Sequence, residues 1–542
     1  MRDSPPSSAV VFVLIFWAIF LLHLPLLRLP FFWDEAGYYI PAARDLFLTG
    51  SLIPHSTPSN AHPPLVMAYL AGWWKITGYS IFVTRVAMLL VAAFSLLGVF
   101  RLSRRVANLQ VAVASTACTA LYPVFFAQST MAHVDLAAAG LTLWGLHSYL
   151  GERWRSTAWW FSLAVLAKET AVLAPLALLA WVWVGPAIVT MVSRRWSRTD
   201  ESLTAPQRPS PAVKWRASTS LLTAMAVLCL WYVYHYSRTG YTFGNPEFFR
   251  YNVQATLSAV RILLALAMRL WQAFGYMHLW VLMLLLTWAM TRPPLRDGDA
   301  ERKRIDVSVQ LVFGALILAY VTAMAVVGGA VLARYLLTVV PLVILVAIST
   351  LWRRIRQWLG LAGLVCAAFL MALFFNPPYS FAPEDNLAYR DYVVMHQDAE
   401  TFLEQRYPTA RVLTAWPASD EISRPYLGYV TRPLRVVRVE DFTPEEVLAA
   451  AQDRSRFDVA LVFSTKYEPA RPLLDRWRGW VSLKTRFFGF HRDLPPGIVA
   501  QLLGGRVVFT EASTGQWIAV IELERALDAR LDGRRSGIFA GW

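Results

Sequence analysis

Phe32-Trp33-Asp34-Glu35-Ala36-Gly37-Tyr38-Tyr39 follows directly on the first long apolar run, Ala9 to Pro30. Two adjacent carboxylates stand where an apolar helix should be leaving the bilayer. Aromatic residues flank them on both sides, as at a membrane–water interface. Acids at the mouth of a span cost free energy unless they face a polar cavity, which makes Asp34 and Glu35 candidates for chemistry. The plainer reading is that they begin a surface helix, whose first turn favours acids. The rest of the chain decides between the two.

The 542 residues are 56% hydrophobic and 16% charged, with a mean hydropathy of +0.42. Soluble proteins carry about 25% charged residues, so this is the composition of a polytopic membrane protein. A net charge of +15 would suit nucleic acid, but much of the Lys and Arg lies in short clusters between apolar runs. That pattern reports membrane topology, and no nucleic-acid partner is expected. Cys118, Cys229 and Cys366 all fall inside apolar runs, with neither metal spacing nor a disulfide framework. The first run is too long for a signal-peptide core and lacks a small-residue cleavage site, so it reads as a retained helix.

A span needs about 20 mainly apolar residues. Candidates are Ala9–Pro30, Ile81–Phe100, Val106–Ala127, Val134–Leu150, Ser156–Ala167, Ala171–Met191, Ala217–Tyr236, Gly275–Met290, Val307–Val327, Ala333–Thr350 and Leu359–Phe375. This predicts a polytopic α-helical membrane protein with about eleven transmembrane helices. Leu65–Ile76 is too short and is placed in the interface. Ala255–Trp271 is ambiguous, because Arg261 and Arg269 interrupt it. With a cytoplasmic N-terminus, the inside loops collect Arg101, Arg104 and Arg105; Arg153 and Arg155; Arg194, Arg195, Arg198, Arg208, Lys214 and Arg216; Arg292, Arg296, Arg302, Lys303 and Arg304; and Arg353, Arg354 and Arg356. The outside turns before Asn376 carry Arg44, Lys75, Lys168, Arg238, Arg250 and Arg334, with Arg261 and Arg269 in the ambiguous segment left aside. Short cytoplasmic loops collect Lys and Arg, so the bias fits this layout and places Asp34 and Glu35 outside the cytoplasm.

The expected domains are a membrane domain over residues 1–375, whose first outer loop is 31–80, and a soluble extracytoplasmic domain over 376–542. In the latter, β-like runs at Arg411–Ala415, Leu434–Val439, Phe457–Phe463, Arg506–Thr510 and Trp517–Leu523 alternate with helical patterns. One of these, Pro444–Ala451, has Thr443 as a cap candidate. Alternation of this kind predicts a small α/β domain with a partly parallel sheet. No glycine-rich phosphate loop and no internal repeat is evident.

The remaining charged and polar residues gather at the outer helix ends: Asp34 and Glu35, His62 before Pro63-Pro64, His133 and Asp135, Lys168 and Glu169, Arg238 and Asn245, and Arg334 with Tyr335. Each has a plain alternative. His62 could be an interfacial histidine, Arg334 could snorkel to headgroups, Asp135 could start a helix, and Lys168 with Glu169 could be a local ion pair. Together they describe a cavity with acids at one end and bases at the other. A lipid-phosphate sugar fits it: the bases hold the phosphate leaving group, a carboxylate takes the acceptor's proton, and the lipid tails lie on apolar helices.

The order Trp33-Asp34-Glu35-Ala36, His62-Pro63-Pro64, Asp135, Ala167-Lys168-Glu169 and Arg334-Tyr335-Leu336-Leu337 with Pro341 resembles the membrane glycosyltransferases of the type C fold. The likeness is to the bacterial proteins similar to protein O-mannosyltransferases and to the lipid A aminoarabinose transferase, and it covers roughly residues 9–350. The resemblance implies a polyprenyl-phosphate sugar as donor and an extracytoplasmic acceptor. It implies that Asp34 is the base of an inverting transfer, Glu35 its support and Asp135 a second acid near the acceptor. It gives Lys168 and Arg334 the donor phosphate. His62 stands where relatives often carry a basic residue, so it joins the phosphate site; a neutral imidazole binds phosphate less firmly. No cofactor is expected, since the lipid-linked sugar is a substrate. An Asp-Glu pair holds a divalent metal only with help from elsewhere. The alternative is a transporter or flippase of a lipid-linked saccharide, which would want charge distributed through the depth of the bundle.

Overall fold

The computed structural model describes residues 7–196, 210–469, 473, 476–513 and 515–524; Arg198 and Arg208 and the tail through Trp542 lie outside the described residues. The chain divides into two compact units that interleave in sequence. The first comprises Met1–Pro25, Ala42–Tyr79 and Val83–Phe374, and the second Leu26–Pro41, Ser80–Phe82 and Phe375–Trp542. The Asp34 loop is therefore part of the same unit as the C-terminal residues.

The first unit is helical. Its opening helix, Ser8–His23, starts where Ser7 Oγ accepts from the Val10 N–H at 3.3 Å and gives way at Leu24-Pro25 to a 3-10 turn, since proline removes a helix donor. Val10, Val13, Leu14, Trp17, Leu21 and Leu22 all stand exposed on it. Apolar side chains left uncovered on a helix without charges suit lipid rather than water.

All eleven expected stretches contain helix: Ile81–Phe100, Val134–Leu150, Ser156–Ala167, Ala217–Tyr236, Val307–Val327 and Leu359–Phe375 each carry one continuous helix, and others are broken. Among the described residues, Ser8–Leu26, Ile81–Val106, Glu169–Val192, Pro211–Thr239 and Val307–Val326 are long and apolar enough to cross a membrane, which makes 5, or up to 6 if the bent pair Pro246–Thr256 and Ala259–Phe274 is one span. The expected number is not reached by that measure. Local chemistry explains some of the difference. Val106–Ala127 divides into Leu109–Leu121, capped by Asn108 Oδ1 on the Val111 N–H, and Pro123–Gln128. The break is Tyr122, held extended (ψ 123°) before Pro123. Ala333–Thr350 likewise divides into a 3-10 turn, Ala333–Leu336, and the helix Val340–Arg354. The ambiguous segment is the helix Ala259–Phe274, with Arg261 and Arg269 buried. Leu65–Ile76, expected at the interface, forms the helix Leu65–Thr77 with Trp74 buried.

Close approach is set by small residues. A Cβ on Gly140 would collide with Ser95, so the helices Ile81–Val106 and Val134–Tyr149 meet nearly backbone to backbone there. A Cβ on Gly98 would lie 3.1 Å from the Trp144 indole across the same contact.

In the second unit, five strands form one sheet: β1 (Arg411–Ala415), β2 (Arg435–Val439), β3 (Val459–Phe463), β4 (Gly505–Ser513) and β5 (Gln516–Leu523). Their order is β2-β1-β3-β5-β4, with β1 parallel to β2 and β3, and β5 antiparallel to β3 and β4. Val459–Phe463 is buried throughout, as a central strand covered on both faces requires. The helix Ala388–Arg406 packs on β4 and β5. Thr443 precedes the helix Pro444–Gln452, but its side chain makes no cap bond; its hydroxyl donates to Asp441 Oδ1 at 2.6 Å instead.

Candidate active site

Three of the expected residues meet inside the helical unit, each placed by a helix start or break. Asp135 lies in the first turn of Val134–Tyr149. Lys168 sits in extended backbone (φ −153°, ψ 135°) between the end of Trp154–Ala167 and the 3-10 turn Glu169–Val172. Arg334 belongs to the turn before Val340–Arg354. Lys168 Nζ is 2.5 Å from Asp135 Oδ1, and Arg334 Nε is 3.3 Å from Asp135 Oδ2. All three are at least 95% buried. One carboxylate is thus shared by two cations. With Ala138, Thr170, Ala171, Tyr320, Tyr335 and Thr338 they line a cavity of about 10 Å³, room for about one water molecule.

His62 lies beside this cluster, its Nδ1 3.0 Å from Glu169 Oε2. Several supporting residues were not singled out for these roles from sequence. Lys168 Nζ stands 4.1 Å above the Tyr335 ring, a cation–π contact. His133 Nδ1 lies 2.7 Å from Gln128 Oε1 and 3.1 Å from Arg334 Nη1. Arg269 donates to the Met324 and Leu332 carbonyls at 3.2 and 2.6 Å, and Arg261 to the Gly328 and Gly329 carbonyls at 2.7 and 3.0 Å. These two arginines fix the turn leading into Arg334. Their sequence signal is the charge that interrupts an otherwise apolar run.

Asp34 and Glu35 belong to the other unit. The Glu35 N–H donates to the Phe32 carbonyl, and Glu35 Oε2 accepts from the Phe32 N–H, each at 2.9 Å. Glu35 is fully buried, and its carboxylate closes its own loop. Asp34 is only partly buried. Trp33 precedes it at φ +45°, a left-handed conformation uncommon for a side-chain residue, and a five-residue π-helix, Glu35–Tyr39, follows. Strained backbone and π-turns concentrate where a side chain must be aimed. The loop is tied down by the Phe31 N–H on the Leu427 carbonyl (3.2 Å) and by the Tyr429 hydroxyl on the Phe31 carbonyl (3.1 Å). A Cβ on Gly37 would enter the Trp416 indole at 2.6 Å, and Trp33 meets the same indole edge-on.

Residues 61–204 match the family described as Dolichyl-phosphate-mannose-protein mannosyltransferase. No curated protein matches the chain in sequence. Among solved structures, the chain is similar to ArnT from Cupriavidus metallidurans bound to undecaprenyl phosphate, at 14% identity and a TM-score of 0.52, covering 95% of this chain and 97% of that one. ArnT in the apo state aligns at 15% identity and a TM-score of 0.49, over 95% and 98%. The oligosaccharyltransferase AglB from Archaeoglobus fulgidus, in complex with an inhibitory peptide and a dolichol-phosphate, aligns at 12% and 0.44, over 94% and 74%. The resemblance to membrane glycosyltransferases of the type C fold thus holds in fold for nearly the whole chain, and in sequence over 61–204.

Proposed function

We propose that the chain is an integral membrane glycosyltransferase that moves a sugar from a polyprenyl-phosphate donor to an extracytoplasmic acceptor, with inversion at the sugar carbon. The observation that carries this reading is the buried Asp135–Lys168–Arg334 cluster. Two cations gathered at helix breaks, with apolar helices around them, suit a phosphodiester whose lipid stays in the membrane. The resemblance adds the donor class, since the ArnT structure of like fold holds undecaprenyl phosphate.

In this mechanism the acceptor's O–H or N–H attacks the sugar's anomeric carbon. Asp34 takes the proton as the new bond forms. The bond from that carbon to the phosphate oxygen breaks, and polyprenyl phosphate leaves with the electron pair. Lys168 and Arg334 stabilise the negative charge that develops on it. A single displacement gives inversion. Asp135 holds the two cations in place, and Glu35 holds the loop that aims Asp34. His62, with Glu169, stands next to Lys168 in this arrangement and is a secondary phosphate contact.

The test is turnover by the purified full-length protein with a panel of synthetic polyprenyl-phosphate sugars and envelope extracts as acceptor. The reading requires release of polyprenyl phosphate with at least one donor. A protein that instead carries intact lipid-linked saccharide across vesicles, with no bond cleaved, would establish the flippase alternative.

A further inference from the structure

The second unit holds a buried cluster that glycosyl transfer does not use. His396 and Glu400 lie four residues apart on the helix Ala388–Arg406, which puts them on one face. Glu421 ends the short helix Ala418–Glu421. His396 Nδ1 is 2.8 Å from Glu421 Oε2 and 3.6 Å from Glu400 Oε1. One ligand atom from each of the three residues falls within 4.8 Å of the other two. The side chains are 1%, 0% and 0% exposed. No N–H group bonds either oxygen of Glu400, or Glu421 Oε1; the two carboxyl groups lie within hydrogen-bond reach of each other.

Two carboxylates sealed from water against one imidazole are costly unless a cation joins them. We propose that His396, Glu400 and Glu421 bind one divalent first-row transition metal ion of the zinc class. One imidazole nitrogen and two carboxylate oxygens are a suitable donor set for such an ion. Its double charge balances the two acids, and it gives their oxygens a bond. Ligand atoms around a tetrahedral zinc stand roughly 3.4 Å apart, from bond lengths of about 2.1 Å, so modest side-chain closure completes the site.

The ion's task follows from what surrounds it. The Tyr392 ring stacks on His396 at 3.9 Å and meets Phe32 and Trp33 at 5.2 and 5.6 Å. Glu421 follows closely on Trp416, whose indole lies against Gly37 and Trp33. The metal pins the helix to the Trp416 turn, and both brace the loop that carries Asp34. It acts as a structural staple and touches no reacting atom.

Elemental analysis of the full-length protein, purified in detergent without chelator, tests this. The expected content is about one equivalent of transition metal per chain, retained in Asp34→Asn and lost in Glu400→Gln and His396→Ala. Should those variants fail to fold, wild type decides: its thermal midpoint should fall on chelation and recover with zinc but not with magnesium. A metal-free wild type whose midpoint ignores both chelator and zinc would overturn the proposal. So would retention of the ion in Glu400→Gln, or its loss in Asp34→Asn while Glu400→Gln keeps it. Metal content is independent of activity, so this proposal can fail without the glycosyltransferase reading failing, and the reverse.

Discussion

Asp34 and Glu35 are neighbours with different work. Glu35 spends its carboxylate on the Phe32 N–H and is fully buried, whereas Asp34 stays partly exposed after a left-handed Trp33. The sequence shows two acids at a membrane mouth; it cannot show which one closes the loop, because that depends on a backbone turn three residues long. Lys168 and Arg334 were legible for a clear reason: a charge among apolar residues is expensive and therefore conspicuous. Their shared partner was not. Asp135, expected near the acceptor, is ion-paired with both cations, a pairing between elements far apart in the chain. Arg334→Lys keeps the charge but loses the planar guanidinium. Its apparent donor KM should rise about tenfold or more, the worth of one charge-assisted hydrogen bond, and kcat should fall as well, because the same group stabilises the charge that develops on the leaving phosphate. An unchanged donor KM would remove Arg334 from the phosphate site.

At the scale of elements, the apolar runs predicted where helices lie better than where they stop. Interruptions come from particular residues: Tyr122-Pro123, Lys168 in extended backbone, and the turn before Val340. Breaks of this kind place polar side chains inside a bundle, so the site sits where the periodicity fails. Strand positions in the second unit were legible from short β-branched runs, and the order β2-β1-β3-β5-β4 was not, because register is a long-range property. The contact of Gly140 with Ser95 is a test at this scale. Gly140→Leu should separate the helices Ile81–Val106 and Val134–Tyr149 and destabilise the protein by about 1–3 kcal/mol, as overpacking does. Thermal unfolding in detergent measures it. A variant as stable as wild type would show that the two helices yield freely.

For the whole molecule, composition and charge bias predicted a membrane protein, and the uncovered apolar faces of helices such as Ser8–His23 agree. The division into units was not legible. Leu26–Pro41 groups with residues 375 onward across more than three hundred residues of sequence, and no local pattern reports that. The same distance hid the support given to Asp34 by Trp416 and Tyr429. The layout proposed here puts the C-terminal unit outside the cytoplasm. A topology reporter fused after Trp542 should score extracytoplasmic, and a cytoplasmic score would reverse the orientation. The central claim is that Asp34 is the base of a sugar transfer from a lipid phosphate. Its most direct test is the initial rate of transfer from a defined polyprenyl-phosphate sugar by Asp34→Asn beside wild type, at matched expression and thermal midpoint. The rate should fall by about 10²–10⁴-fold, as when a general base is removed; an Asn variant that transfers sugar at the wild-type rate would contradict the account.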